Sequence, residues 1–279
     1  MNSIGDYGSP LKAGNRGKIF LVGAGPGDPE LLTLKALKAI ESADAVVYDR
    51  LVSEAVLALI PRGVPRFFAG KSCKEKAMTQ EEIHQLLIAL AREGKRAVRL
   101  KGGDPLLFGR GGEEALELAK HHIDFEIIPG ITSAQGCAAY AGIPLTHRGL
   151  ASGVRFLTGH RVTAEDTADP LDLNWQSLAD GDTTLVVYMG LANLGIITAK
   201  LMEHGLPANT PAAAIAHGTT PQQRITISNL SEIEGAVAKA KLEPPTLVII
   251  GKVAGLACEL AWFMPEGEAI LPKLAQSQT

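Results

Sequence analysis

The chain has 279 residues, of which 46% are hydrophobic and 20% are charged, with a formal net charge of −3 at pH 7. This length and apolar content suit one large or two medium globular domains and exclude a disordered chain. The balanced charge, with no long single-sign run, argues against a dedicated nucleic-acid-binding protein, which usually carries a basic stripe.

The cysteines and the hydropathy pattern indicate the compartment. Three scattered cysteines, with no CxxC pair and no HExxH motif, predict neither a disulfide framework nor a metal site and favour a reducing environment. The first 16 residues are polar and lack the apolar core of a signal peptide. No run approaches the roughly 18 consecutive apolar residues of a membrane span. We therefore expect a cytoplasmic protein.

Short β-branched runs alternate with helical patterns through the first half of the chain. Thr79 and Glu82 have the spacing of a capping box at the start of one predicted helix. The predicted strands are 18–23, 45–48, 97–100 and 125–128, and the predicted helices are 31–43, 53–59, 79–91, 112–120 and 132–141. Strands that alternate with helices predict a mainly parallel sheet with both faces covered.

The pattern pauses at GIPLTHRGLASG, where Gly, Pro, Thr and Ser cluster, and we expect a domain junction there. Beyond it, strands are predicted at 154–157, 184–188, 212–216 and 246–250, and helices at 193–203 and 230–240, after a polar loop over 163–179. The predicted division is a disordered tail (1–16), an N-terminal α/β domain (17–147), a C-terminal α/β domain (148–260) and a C-terminal tail that frays (261–279).

A glycine-rich loop, GAGPGDP, follows the first strand and precedes the first helix. A dinucleotide fingerprint sits at this place, but it needs a third glycine where this chain has Asp28. An aspartate at the start of a helix would also repel a pyrophosphate. The loop therefore predicts a ligand other than a dinucleotide. An ordinary turn, with Asp28 as N-cap and Pro29 at the first helical position, explains the same residues equally well.

Two further loops repeat this geometry at later strand ends. GGDP follows the strand at 97–100, and PGITSA follows the strand at 125–128 with hydroxyls at the start of its helix. Ligands of open α/β sheets bind outside the carboxyl ends of strands, and glycines let the backbone approach them closely. Three such loops predict one shared ligand site. Individually, Asp104 is also explained as a turn residue before Pro105, and Thr132 as a helix N-cap.

The segments GAGPGDPELLTLKA, YDRLVS, VRLKGGDPLLFGRGGEE, IPGITSA and GIPLTHRG together resemble the tetrapyrrole methyltransferase family over about residues 18–256. Within that family, YDRLVS and the region of Lys71 are similar to members that act on uroporphyrinogen III. The resemblance implies two α/β domains with a cofactor cleft between them and a homodimer. It implies S-adenosylmethionine as methyl donor, S-adenosylhomocysteine as product, no metal, and two successive C-methylations that give precorrin-2 (dihydrosirohydrochlorin).

Other functions stay open at this point. The nearest is a methyltransferase of the same family that acts on a later corrin precursor, on diphthine or on ribosomal RNA. An NAD-dependent dehydrogenase is a second class, against which Asp28 argues. A ligand-binding module without catalysis is a third.

The resemblance also implies particular site residues. It assigns a proton-accepting role to Asp49 and a proton-donating role to Lys71, although by residue type alone each is more typical of an exposed surface. The residues that it places against the cofactor come from both domains, and they are Pro26, Gly102, Gly103, Asp104, Leu107, Thr132, Ser133, Met189, Ala216, Gly218 and Thr246.

The implied chemistry agrees with these residue types. A sulfonium donor without a phosphate needs backbone acceptors and apolar walls rather than an anion cradle. Methyl transfer depends on alignment, and the methylated pyrrole must then lose a proton to a base. The eight carboxylates of uroporphyrinogen suit the planar fork of arginine. Our candidates for carboxylate contacts, each equally consistent with a plain surface charge, are Arg50, Arg148, Arg155 and Arg161.

Overall fold

The computed structural model describes residues 17–70, 78–160 and 171–265. These residues form two five-stranded sheets, one from each half of the chain. The predicted N-terminal tail lies outside the described residues, as do Lys71 and Arg161. Among the described residues, no helix has the length and apolar character that a membrane span requires.

The first sheet is parallel throughout, with the strand order β3-β2-β4-β1-β5. Its strands are β1 (Lys18–Gly23), β2 (Ala45–Tyr48), β3 (Arg66–Phe68), β4 (Arg96–Lys101) and β5 (Asp124–Ile128). The helices between them are α1 (Leu34–Glu41), α2 (Glu54–Leu57), α3 (Gln80–Arg92) and α4 (Gly111–Lys120). Helices cover both faces, so the central strands are buried on each side, as their unbroken apolar runs require.

The second sheet is mixed, with the strand order β6-β7-β10-β8-β9. Only β6 and β7 run parallel, and the remaining neighbours are antiparallel. Its strands are β6 (Gly153–Thr158), β7 (Thr183–Tyr188), β8 (Pro211–Ala216), β9 (Arg224–Asn229) and β10 (Thr246–Ile250). The helices are α5 (Ser133–Tyr140), α6 (Trp175–Leu178), α7 (Leu194–Glu203), α8 (Ile233–Ala240) and α9 (Ala257–Leu260). Helices α5, α6 and α7 precede β6, β7 and β8 in turn, α8 lies between β9 and β10, and α9 follows β10. Side chains alternate between a face covered by α6, α7 and α8 and a face covered by α5.

Helix α5 connects the two halves. It follows β5 of the first sheet, but its small buried residues Ala134, Cys137 and Ala138 pack against the second sheet, on Val186 and Ile249 among others. The domain junction that we expected near residue 148 stays a prediction, and the helix before it contributes to the second core.

Most predicted elements are confirmed, including the capping box in which Thr79 and Glu82 bond reciprocally at the start of α3. The helix expected over 31–43 begins later, at Leu34, because a short 3-10 helix occupies Pro29–Leu31. Four of these strands and helices were not predicted: β3, β9, α6 and α9. Helix α6 lies inside the stretch expected to be loop, and Trp175 buries its ring there.

The segment expected to fray after Leu260 is partly packed. The indole Nε1 of Trp262 donates to the carbonyl of Ala139 at 2.8 Å, and the rings of Trp262 and Phe263 contact Tyr140. The chain is therefore anchored to α5 at least as far as Phe263.

Candidate active site

The three glycine-rich loops are in direct backbone contact. Gly103 donates its N–H to the carbonyl of Gly25 at 2.7 Å, and Gly25 donates to the carbonyl of Gly103 at 3.2 Å. A Cβ on Gly130 would lie 2.4 Å from the carbonyl oxygen of Gly103, closer than real atoms approach. Gly103 has φ +69°, in the left-handed region that glycine tolerates best. The junction of the loops is therefore built from backbone and requires these glycines.

Asp104 ties the second loop to the third. Its Oδ1 accepts from the N–H of Leu106 at 2.9 Å, which confirms the turn-residue interpretation. Its Oδ2 accepts from the N–H of Gly130 at 3.1 Å. Both carboxylate oxygens thus accept hydrogen bonds from backbone N–H groups, so the first role of Asp104 is to fix the shape of the loop junction.

Asp28 ties the first loop to the second half of the chain. Its Oδ1 accepts from the N–H of Glu30 at 2.8 Å, which confirms it as an N-cap, here of the short 3-10 helix. Its Oδ2 accepts from the Tyr140 hydroxyl at 2.6 Å, and its own N–H donates to Thr219 Oγ1 at 3.1 Å. Burial, together with the hydrogen bond to Asp28, raises the pKa of Tyr140 to about 12, so the hydroxyl keeps its proton.

The segment after β8 closes against the same loop and against α5. A Cβ on Gly218 would lie 2.3 Å from Sγ of Cys137, and a Cβ on Gly136 would lie 2.4 Å from Cγ of Pro26. Three residues on this side have positive φ without being glycine: Met189 (53°), His217 (49°) and Thr219 (67°). Such backbone costs on the order of 1–3 kcal/mol per residue and concentrates where a ligand is bound.

Aromatic side chains join the two halves across the cleft. The ring of Phe108, which follows the GGDP loop, lies 4.9 Å from the ring of Tyr188 at the end of β7. The Tyr188 hydroxyl accepts from the N–H of Ala134 at the start of α5, at 3.0 Å. Met189 comes next and is 51% exposed. Phe108, Tyr188 and Met189 thus form an apolar wall between the GGDP loop and the end of β7.

A buried cluster of charges lies behind Asp49, at the end of β2. Arg99 and Lys101 of β4 are each only 3% exposed, and Glu114 of α4 is 0% exposed. Arg99 donates from Nη2 to Asp49 Oδ2 and from Nε to Glu114 Oε1, both at 3.2 Å. Lys101 Nζ lies 3.0 Å from Glu114 Oε1 and 4.0 Å from Asp49 Oδ2. Asp49 therefore belongs to a network of four charged side chains.

Burial and the neighbouring charges together set the protonation of this cluster. It lowers the pKa of Lys101, and the neighbouring charge of Arg99 lowers it further. Burial on its own raises the pKa of Glu114, but the charges of Arg99 and Lys101 outweigh this and the pKa is lowered. Glu114 is therefore a carboxylate. Within the described residues, no group of three or more His, Cys, Asp and Glu side chains is arranged to hold a metal ion.

Comparison with known proteins identifies this architecture. Residues 18–234 match the family of tetrapyrrole (corrin/porphyrin) methylases. The chain belongs to the tetrapyrrole methylase family. Siroheme synthases of Nitrosospira multiformis and Azotobacter vinelandii are each 53% identical to it, over 90% and 88% of this chain respectively and over 52% of each relative. The chain thus spans about half the length of these curated relatives.

Solved structures of methyltransferases match over nearly their whole length. A uroporphyrin-III-C-methyltransferase from Thermus thermophilus is 43% identical, with a TM-score of 0.72 over 88% of this chain and 97% of that one. Another structure of that enzyme, complexed with S-adenyl homocysteine, has a TM-score of 0.70 over 85% and 98%. A cobalt precorrin-4 methyltransferase is 28% identical, with a TM-score of 0.75 over 85% and 95%.

In this tetrapyrrole methylase, most of the residues predicted to contact the cofactor gather around the cleft. Ser133 lies beside Gly103, and Thr132 is the N-cap of α5 with a capping box to Gln135. The residues that form or contact the loop junction are Pro26, Gly102, Gly103, Asp104, Thr132, Ser133 and Gly218. Leu107 and Met189 are the sequence neighbours of Phe108 and Tyr188, whose rings contact each other beside it.

Ala216 and Thr246 are differently placed. They pair with each other in the register of β8 and β10, and the Ala216 side chain packs on the face that α7 and α8 cover. The Thr246 hydroxyl donates to the carbonyl of Glu243 at 2.7 Å. Their side chains therefore face the core, and only their backbone can contribute to the cleft.

The predicted arginines do not converge. Arg50 is exposed beside Asp49, whereas Arg155 donates to the carbonyl of Ser177 on the face of the second sheet opposite α5. Arg148 lines a cavity of about 620 Å³ together with Asp182, at the start of β7, while Met189 follows the other end of that strand. This cavity is thus separate from the loop junction. Arg161 lies outside the described residues.

Sequence analysis overlooked the charged partners of Asp49. Arg99 and Lys101 occupy alternate positions of a strand, which places both side chains on one face. That spacing, in a strand predicted to be buried, was the available signal. It also overlooked Arg110, an exposed residue with φ 59° that pairs with Glu113 through two hydrogen bonds, just after Phe108.

Proposed function

We propose that this chain transfers methyl groups from S-adenosylmethionine to pyrrole carbons of uroporphyrinogen III, twice in succession, giving precorrin-2. The observation that carries the proposal is the junction of three glycine-rich strand ends against α5, beside the apolar wall of Phe108, Tyr188 and Met189. The identity of 43% with a uroporphyrin-III-C-methyltransferase over nearly its whole length supports the choice of substrate.

The residues present fit a sulfonium cofactor. When bound, S-adenosylmethionine supplies an electrophilic methyl group. The position of a Cβ on Gly103 lies 3.5 Å from Ser133 Oγ, so a larger side chain there would fill the space that the loops enclose. Gly103 and Gly130 let backbone approach the ligand, and Met189 and Phe108 exclude water from the opposite side. Alignment of donor and acceptor is the main contribution of such a cleft.

We further propose that Asp49 accepts the proton that leaves the methylated pyrrole. Its side chain is 28% exposed at the end of β2, and Arg99 holds its Oδ2 from the buried side. A carboxylate fixed in this way is ready to accept a proton without first being reoriented. Lys71 is the proposed proton donor and rests on the family resemblance alone.

For the substrate carboxylates we propose Arg50 and add Arg110. Both are exposed, and they lie beside Asp49 and after the GGDP loop respectively. Arg155 and Arg148 are left out of this set, because the first is engaged with Ser177 and the second lies at the other end of β7. The proposal also places the protein in the cytoplasm as a homodimer. Its substrate is the tetrapyrrole rather than a nucleic acid.

A methyltransferase for a later corrin precursor is the alternative, favoured by the TM-score of 0.75 with a cobalt precorrin-4 methyltransferase. The identity to that enzyme is 28%, against 43% for the uroporphyrin-III enzyme. A substrate assay separates the two.

The experiment is an anaerobic assay with S-adenosylmethionine and enzymatically generated uroporphyrinogen III, followed by absorption and product mass. We expect the mass of two added methyl units and the absorption spectrum of precorrin-2 (dihydrosirohydrochlorin). A parallel assay uses a tetramethylated corrin precursor, the substrate of the alternative function. No mass gain on uroporphyrinogen III, or a gain only on the corrin precursor, would overturn the proposal.

A further inference from the structure

A buried carboxylate with no part in the proposed chemistry stands behind Asp49. Glu114, in the first turn of α4, is 0% exposed. Its Oε1 accepts from three donors: Lys101 Nζ at 3.0 Å, Arg99 Nε at 3.2 Å and Gln80 Nε2 at 3.2 Å. Its Oε2 is buried, and the described residues offer it no hydrogen-bond partner. A charge this deep persists only when opposite charges surround it.

One rigid group links this carboxylate to Asp49. The guanidinium of Arg99 donates to Glu114 from Nε and to Asp49 from Nη2, so the same planar fork bridges both carboxylates. Because the guanidinium is planar, anchoring Nε at Glu114 fixes where Nη2 points. The position of Asp49 therefore depends on Glu114, although the two carboxylates do not touch.

The charges of the cluster balance only when all four members are present. Arg99 and Lys101 are the cations, Asp49 and Glu114 are the anions, and Gln80 from α3 adds a neutral hydrogen bond. Neutralising Glu114 leaves two adjacent buried cations with Asp49 as their remaining carboxylate. Both cations are then drawn toward Asp49, whose Oδ2 lies within 4.0 Å of each.

We propose that Glu114 is a positioning residue for methyl transfer, which holds Arg99 and Lys101 so that they aim the Asp49 carboxylate at the cleft. This inference rests on the proposed function, because it assumes that Asp49 accepts the pyrrole proton. Under this proposal Glu114 sets the position of the base through Arg99, without itself touching the substrate.

The test is a double-mutant cycle on the full chain, with S-adenosylmethionine and enzymatically generated uroporphyrinogen III as substrates. Glu114→Gln keeps the volume and the acceptor oxygen but removes the charge. We expect it to lower kcat about 10- to 100-fold, the order of loss that a misplacement of roughly 1 Å produces, with little change in KM. In the Asp49→Asn background the same change should cost less than about twofold, because the base that it positions is already gone.

Two further variants sharpen the cycle. Glu114→Asp restores the charge on a shorter side chain, and its kcat should lie between those of wild type and Glu114→Gln. Glu117→Gln makes the same chemical change one turn further along α4, where the carboxylate pairs with Lys120 and His121, and it should leave kcat unchanged. Circular dichroism and calorimetric titration with S-adenosylhomocysteine check that each variant is folded. If Glu114→Gln does not fold, Glu114→Asp enters the cycle in its place.

The outcomes separate the inference from the function on which it rests. Equal factors for Glu114→Gln in both backgrounds, an unchanged kcat, or a loss confined to KM would overturn the positioning role alone. An unchanged kcat for Asp49→Asn would overturn both the proposed base and its positioning. A loss of kcat for Glu114→Gln that nearly vanishes beside Asp49→Asn supports the inference.

Discussion

The loop junction and the charged cluster adjoin each other at the end of β4, but different kinds of atom hold them together. The junction is backbone: Gly25 and Gly103 bond to each other with positive φ, and Gly130 meets Gly103 where no Cβ would fit. The cluster is side chain: Asp49, Arg99, Lys101 and Glu114 meet because their charges compensate one another. Added volume should therefore damage the first, and a removed charge should damage the second.

The largest expected effect comes from removing a charge. Asp49→Asn should lower kcat by about 10²- to 10⁴-fold, the usual contribution of a positioned acid or base. Affinity for S-adenosylhomocysteine should stay within about twofold, because the backbone junction is untouched. Steady-state kinetics and calorimetric titration measure the two quantities. Unchanged turnover would contradict the base role, and a large loss of affinity would show that the two regions are not separate.

Adding volume tests the other region. Gly130→Ala places a methyl group 2.4 Å from the Gly103 carbonyl and 2.9 Å from the backbone of Gly23. Unfolding free energy should fall by about 1–3 kcal/mol, the cost of overpacking, and affinity for S-adenosylhomocysteine should fall with it. Urea denaturation and calorimetry provide the measurements.

The matched control is Gly112→Ala, in the first turn of α4, where no other described residue lies within 4 Å of the added atom. It should stabilise the protein by about 0.5–1 kcal/mol, since glycine is a poor helix residue. Equal destabilisation of both variants would show that tight backbone packing is not what distinguishes Gly130.

A single hydrogen bond fastens the first loop to α5. Tyr140→Phe removes the donor to Asp28, and we expect unfolding free energy to fall by about 1 kcal/mol, the typical net value of one hydrogen bond. The pKa of Tyr140 is raised to about 12, from an ordinary value of 10.0, so the bond contributes fully below pH 10 and is lost as pH rises towards 12. The unfolding free energies of wild type and Tyr140→Phe, taken from denaturation curves, should therefore differ by a constant amount between about pH 6 and pH 9. A difference that changes across that interval would contradict this assignment.

The smallest effect belongs to a partly exposed charge, Glu126, the counterpart of the buried cluster. Lys18 and Lys35 hydrogen-bond Glu126 and lower its pKa from 4.5 to about 2. Because the pKa is depressed in the folded state, the stabilisation is present above pH 4.5 and is lost as pH falls to about 2. Glu126→Gln should cost under about 1 kcal/mol at neutral pH, since solvent and salt screen surface pairs. The loss of unfolding free energy should become smaller in acid and at high salt, as measured by urea denaturation. A loss that stays the same in acid would contradict the role given to this ion pair.

The difference between the two regions also explains what sequence could predict. The loops were found because glycine, proline and aspartate mark strand ends by their residue types alone, and the N-cap roles of Asp28 and Thr132 follow from the same local chemistry. The cluster was missed because its partners come from β2, β4 and α4, and a charged residue in a strand is usually at a surface.

Packing in three dimensions decided the remaining differences. The strand RITISN shows alternation at Ile225 and Ile227, but its exposed edge position leaves both side chains only partly buried. The three residues of β3 are too few for any periodic signal. Arg148 and Arg155 were predicted because the candidate arginines lie near predicted strand ends or the domain junction. Sequence does not tell which end of β7 or which face of β6 a side chain occupies.

Helix α5 has a consequence for how the chain can be divided. Its residues Ala134, Cys137 and Ala138 complete the core beneath the second sheet, while Tyr140 holds the first loop. A fragment ending near residue 147 would expose that alanine face to solvent, and the complementary fragment would lack a layer of its interior. Neither half should be recovered in native form when expressed alone, and heating the intact chain should melt both sheets in one transition.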